Sequence, residues 1–206
     1  MRALVAMYGD SSMRKKSAKR ACEWFKEEVQ SVRDFAKATE DLGDAHVSWC
    51  HDQAIIRLYR SFENLMLSSL ICAMNNDTDQ ISQATGISFP QHLTDEVCEF
   101  IIVGEGYFDF RGRDGLVKTV KRYVPAGHYL LQAISNATWR QPLERLSALR
   151  NFAAHDSFPS KKAALKAIGQ TRISSAGSWL KRQNRLLELC DQLDALAQAI
   201  HVAAPY

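Results

Sequence analysis

Arg150, Asn151 and His155 are the residues of this 206-residue chain whose types and spacing suit chemistry at a phosphate. A guanidinium is a rigid fork of donors that matches phosphate oxygens. A neutral imidazole accepts a proton, and nearby positive charge favours that neutral form. Asn151 and His155 are four apart, so on a helix the amide can hydrogen-bond one ring nitrogen and fix its tautomer. Ala154 lies between Arg150 and His155 on the same face, and its small side chain leaves room for a ligand to reach both. A plainer reading stands beside this one. Arg and His near a helix end also match the helix dipole and cap it in solvent.

The element that must hold these groups is the helix Gln141-Pro142-Leu143-Glu144-Arg145-Leu146-Ser147-Ala148-Leu149, continuing to His155, with proline at its first position and an acid in its first turn. At about 100° per residue, Leu146, Leu149 and Ala153 form one stripe with Phe152 at its edge, and this stripe is predicted to be buried. Arg150, Asn151, Ala154 and His155 then share the neighbouring face within an arc of about 140°. The apolar stripe anchors the helix and holds a cation, an amide and an imidazole beside it.

Leu149-Arg150-Asn151-Phe152-Ala153-Ala154-His155-Asp156 resembles the R-polar-x-x-x-H signature of the HEPN superfamily, small helical domains of prokaryotic toxins, defence systems and RNA-processing enzymes. Upstream, Tyr59-Arg60-Ser61-Phe62-Glu63-Asn64 resembles part of the first core helix of such domains. The segment Tyr107-Phe108-Asp109-Phe110-Arg111-Gly112-Arg113-Asp114 is similar to the RiboL-PSP type of HEPN domain, and the resemblance spans residues 44–204. It implies an endoribonuclease that needs no metal or other cofactor, with Arg150 and His155 in the principal roles and Asn151 orienting them. Transphosphorylation calls for a base at the 2′ hydroxyl, an acid at the leaving 5′ oxygen and positive charge at the phosphorane-like transition state. One imidazole cannot fill both proton-transfer roles at once, so a homodimer pairing two motif helices is expected, with 2′,3′-cyclic phosphate ends as product. The expected setting is a toxin or antiviral defence effector, with an antitoxin or companion protein as a further partner. The alternative is a noncatalytic helical RNA- or partner-binding dimerisation module, and a third reading is a purely structural partner for a toxin's companion protein.

Charge distribution is compatible with a polyanionic partner. Residues 1–103 carry 11 Lys and Arg against 15 Asp and Glu, whereas residues 104–206 carry 15 against 8, so the motif lies in the basic half. Within it, Arg111 and Arg113, flanked by glycines, and Lys181 and Arg182 are candidates for RNA phosphate contacts. A solvated positive face without function has the same composition.

The remaining pattern is helical throughout. The spacing of Cys22, Phe25, Val29, Val32 and Ala36 predicts an amphipathic helix over 17–42, preceded by the basic cluster Arg14-Lys15-Lys16. After Gly43 a long helix is expected from Asp44 to Asn75-Asn76, carrying Val47, Ile55, Leu58, Phe62, Leu65, Leu70 and Met74. Within it Glu63 interrupts an apolar run, and either supports Arg150 through a charge-assisted bond or points to solvent. His46 and Cys50 have ligand-pair spacing but no matching second pair, so no metal site is assigned.

Residues 77–88 read as a loop, and Thr94 as the cap of a helix to Val103. The aromatic residues Tyr107, Phe108 and Phe110 are expected to pin a folded-back loop to the core. Asp114 is expected to cap a helix to Val124 that Pro125 stops, and another helix covers His128 to Asn136. Ser160 is expected to cap a helix to Ile168, and a closing helix to carry Trp179, Leu186, Cys190, Leu193, Ala197 and Ile200.

These elements predict an all-α, HEPN-like bundle with a long central helix pair and irregular inserts. The organisation expected is one domain over 1–206, with an N-terminal extension helix in 1–43 and the bundle core in 44–204. Five scattered cysteines argue against a disulfide framework and for a reducing, cytoplasmic location. The apolar run in residues 1–9 is too short for a signal-peptide core, and no run of eighteen apolar residues suggests a membrane span.

Overall fold

A computed structural model of the chain describes residues 16–205; residues 1–9 and the Arg14-Lys15 part of the basic cluster lie outside the described residues. Helix α1 (Ala18–Ala38) starts where the Ser17 side chain accepts a hydrogen bond from the Arg20 amide. Cys22, Phe25, Val29, Val32 and Ala36 are all buried, so the predicted stripe is the one the fold covers. It faces α2 (Asp44–Asn76), whose 33 residues rise about 50 Å. The Phe25 and Phe62 rings meet edge to face at 5.7 Å between these two helices. The apolar face of α1 therefore belongs to the same core as α2.

The segment 77–88 departs from the loop expected of it. Asp79–Thr85 forms the short helix α3, which buries Ile81 and is stopped by Gly86 at φ 70°. Helix α4 (Asp95–Val103) is capped by the Thr94 side chain on the Val97 amide. Asn75 at the end of α2 donates to Asp95 Oδ1 at 2.7 Å, which ties the two helices together. Helix α5 spans Gly112–Val120, so Asp114 sits inside its first turn, not at its cap; Arg111 holds the cap position. Helix α6 (Tyr129–Ser135) begins where His128 Nδ1 accepts from the Leu130 amide.

A 3-10 turn (Ala137–Trp139) leads into α7 (Arg140–His155). Pro142 is the third residue of α7, and no acid lies in its first turn. Helix α8 (Phe158–Ile168) is opened by Ser157 and not by Ser160: the two serines form a reciprocal capping box around Pro159. The expected closing helix is two helices, α9 (Ala176–Leu180) and α10 (Arg185–Ala203). They are separated by Gln183 and Asn184 at φ 55° and 57°, a left-handed kink that no continuous helix tolerates.

The class is all-α, with no strand among the described residues. Helix α2 packs against α1, α4, α7 and α9, α10 runs beside α1 and α6, and α5 and α8 lie on α7. No helix among the described residues is long and apolar enough to cross a membrane.

Candidate functional site

Helix α7 is oriented by Leu143, Leu146, Leu149 and Phe152, each at most 2% exposed. Burying four such side chains contributes on the order of 6–12 kcal/mol to seating the helix, far more than any polar contact on its shoulder. Arg150 and Asn151 lie half-buried on that shoulder, while Ala154 and His155 are exposed at the helix end.

The Arg150 guanidinium lies over the ring of Tyr59 in α2, 4.4 Å from its centroid. Its Nη1 donates to Asn151 Oδ1 at 2.7 Å. The bond expected between Asn151 and His155 is absent; the amide oxygen accepts from the neighbouring guanidinium instead. Asn151 therefore orients Arg150, and the His155 ring has no hydrogen-bond partner among the described residues.

Tyr59 is itself fixed. It is fully buried, stacks on Phe110 with centroids 5.2 Å apart, and its hydroxyl lies 2.7 Å from Asp109 Oδ1 and 3.0 Å from the Phe110 carbonyl. Its single proton is directed to the carboxylate, the shorter and charged acceptor. Burial, the bond to Asp109 and the charges of Glu63 and Asp109 push the phenol well above its ordinary range.

Glu63 stands one turn after Tyr59 on α2, so both face the same side. Burial pushes its carboxyl up to about 7; the Arg150 charge holds it down, and the Asp109 charge pushes it further up. Arg150 acts on it through space, since the guanidinium's close contacts are with Tyr59 and Asn151. Of the two readings open for Glu63, neither a direct ion pair nor a solvent-facing carboxylate describes it. It is half-buried, with its carboxyl held well above the usual carboxylate range.

The four candidate phosphate contacts divide. Arg111 and Arg182 are exposed. Arg113 is not free: it donates to Asp114 at 2.7 Å and to the Ser135 carbonyl at 2.8 Å, with 14% of its side chain exposed. It joins α5 to the end of α6. Lys181 pairs with Asp44 Oδ1 at 2.6 Å and donates to the Asp44 carbonyl at 2.8 Å, with 10% of its side chain exposed. Both cations already have partners within the fold, although the partner carboxylates of Asp114 and Asp44 are themselves exposed.

The aromatic stretch before α5 divides as well. Phe108 and Phe110 are buried, but Tyr107 is 97% exposed and pins nothing. His46 lies edge to face with Trp49 at 5.2 Å, and no group of three metal-ligating side chains occurs among the described residues.

The roles of Tyr59 and Asp109 were not apparent from spacing. Tyr59 and Glu63 share four-residue spacing, and Asp109 is a lone acid among aromatics, but neither pattern reveals that the Tyr59 ring lies under Arg150 with its hydroxyl on Asp109. Compared with family models, curated proteins and solved structures, the chain matches none of them.

Proposed function

We propose that the chain is a metal-independent endoribonuclease, acting as a homodimer in which two copies of α7 form one cleft. The observation that carries this reading is the immobilised guanidinium of Arg150, clamped between the Tyr59 ring and Asn151, one turn before an exposed and unbonded imidazole. A cation fixed in place stabilises the charge that develops on a phosphorane without reorganising during the reaction. An imidazole at a helix end is accessible both to substrate and to a second copy. Two His155 rings then serve as base for the 2′ hydroxyl and acid for the 5′ oxygen, and the strand breaks to a 2′,3′-cyclic phosphate and a free 5′ hydroxyl. The shifted carboxyl of Glu63 beside Arg150 is further support, because perturbed groups concentrate where chemistry is done.

The test is cleavage of single-stranded RNA in excess chelator. Wild-type protein is expected to give cyclic-phosphate ends, and Arg150→Ala and His155→Ala to remain folded but lose at least a hundredfold in rate. Cleavage that survives both substitutions, or that chelator abolishes, removes the mechanism. A second reading, an RNA-binding module without turnover, is favoured by one observation: the exposed arginines Arg172 and Arg182 line a cavity away from Arg150 and His155. Salt-sensitive binding with no product identifies that case.

A further inference from the structure

The loop between α8 and α9, the end of α9 and the start of α10 enclose an open cavity of about 770 Å³. Three guanidiniums line it, those of Arg172, Arg182 and Arg185, together with Ser174, Ser178 and Trp179, and no acidic residue does. Three like charges in one concavity repel one another unless an anion is present. Asp44 lies within the field of Arg182, but it is already paired with Lys181, so that carboxylate does not neutralise the cavity.

The lining specifies which part of a ligand would be held. Arg185 lies 4.6 Å from the Trp179 centroid and Arg145 of α7 lies 5.7 Å from it. The indole is thus engaged by two cations, which leaves it a poor platform for a stacked base. Arg185 is further held by the Trp179 carbonyl at 3.2 Å. Arg172 and Arg182 are exposed, and no hydrogen bond or ion pair of their side chains occurs among the described residues. The Ser174 hydroxyl donates to Ser178 Oγ and the Ser178 hydroxyl to the Ser175 carbonyl, so what the cavity offers a ligand is the charge and the N–H donors of Arg172 and Arg182, which recognise phosphate and carry no base sequence.

The geometry points to a subsite for the phosphodiester backbone of single-stranded RNA, gripped by Arg172 and Arg182 and distinct from the Arg150–His155 end of α7. The proposal rests on the RNA reading above and specifies how the strand is held. Arg145, beside the cavity, precedes His155 by ten residues, about 15 Å of helix rise. A strand engaging both places is held at a point removed from the bond that breaks.

The experiment measures binding of a short fluorescein-labelled oligouridine in chelator, by anisotropy over a series of salt concentrations, with the full chain carrying His155→Ala so that no cleavage intervenes. Combined Arg172→Ala and Arg182→Ala are expected to weaken binding at least tenfold. They should also lower the slope of log affinity against log salt by about 1.4, for two phosphates on a single strand. Arg172→Lys with Arg182→Lys should keep the slope. Oligocytidine should bind as oligouridine does.

Unchanged affinity and slope in the double alanine variant overturns the subsite. So does a tenfold preference between the two oligomers, or tight binding of inorganic pyrophosphate without RNA binding, which assigns the cavity to a small anion. Because binding is read without turnover, the two readings fail separately. A wild-type chain that binds through these arginines but never cleaves loses only the nuclease, whereas one that cleaves with binding indifferent to them loses only the subsite.

Discussion

The Arg150 guanidinium sits 4.4 Å from the centre of the Tyr59 ring, so a residue of α7 is held in place by one of α2. The contact contributes about 0.5–2 kcal/mol where water is partly excluded. Its larger effect is to remove rotamer freedom from the side chain proposed to meet the phosphate. Tyr59→Phe keeps the ring and loses the hydroxyl bond to Asp109. It is expected to cost about 1–2 kcal/mol of stability, with RNA cleavage reduced no more than a few-fold. Tyr59→Leu removes the ring and is expected to cost more stability and most of the activity. Equal activity in the two variants, measured at a temperature where both are folded, contradicts an orienting role for the ring.

Glu63 makes a pH-dependent contribution of defined sign. Its folded value, about 7, lies above its ordinary value, so between pH 4.5 and 7 the folded chain holds a proton that the unfolded chain has released. Stability contributed by this group therefore falls as pH rises through that window and levels off above it. Glu63→Gln is expected to flatten the dependence and to be more stable than wild type above pH 7 by roughly 1–2 kcal/mol, after allowance for solvent screening. Urea denaturation at a series of pH values measures this, and a constant difference between the two proteins across the window is the contrary result.

Gly177 occupies the closest approach between α9 and α2. A Cβ at this position would lie 1.9 Å from the Ser48 carbonyl oxygen and 2.8 Å from the Asp52 amide, both backbone atoms of a long helix that has no room to yield. The Gly177 amide also donates to Asp52 Oδ1 at 2.6 Å. Gly177→Ala is expected to lose at least about 3 kcal/mol, the range of overpacking combined with a broken buried bond, seen as a large fall in Tm. A Tm within a degree or two of wild type shows that the two helices do not touch as described.

Asp156 follows His155 with φ 38° and ψ 41°, a left-handed conformation that glycine adopts without strain. Asp156→Gly is expected to stabilise the chain by up to about 1 kcal/mol. If activity falls at the same time, the carboxylate beside His155 serves function at the expense of stability. A loss of stability on this substitution indicates instead that the aspartate side chain is structurally engaged.

Local patterns made much of the fold legible. The apolar stripe of α1, the bounds of α2 and the cap at Thr94 follow from periodicity and from residues within a few positions of each other, whereas the His128 cap of α6 appears only in the structure. Asp79–Thr85 was not legible, because a short polar helix with one buried isoleucine has almost no amphipathic signal. The break at Gln183 and Asn184 interrupts a stretch whose apolar spacing runs on across it, and neither residue is the glycine that usually marks a left-handed turn.

At the site, Arg150, Asn151 and His155 announce themselves by spacing within one helix. What surrounds them does not: Tyr59 under Arg150, and Asp109 bonded to Tyr59, lie on segments far away in sequence, and tertiary packing alone brings them together, as it brings Asp44 to Lys181.

The missing side chain at Gly177 fastens the short α9 backbone to backbone against the bundle's longest helix. Such a joint anchors the α9 side of the arginine-lined mouth to α2, the helix whose Tyr59 also holds Arg150 of α7. Under the proposed nuclease and subsite, two grips on one thread, spaced by these helices, make a gauge, and the fragments expected have a shortest length set by the scaffold and not by their base order.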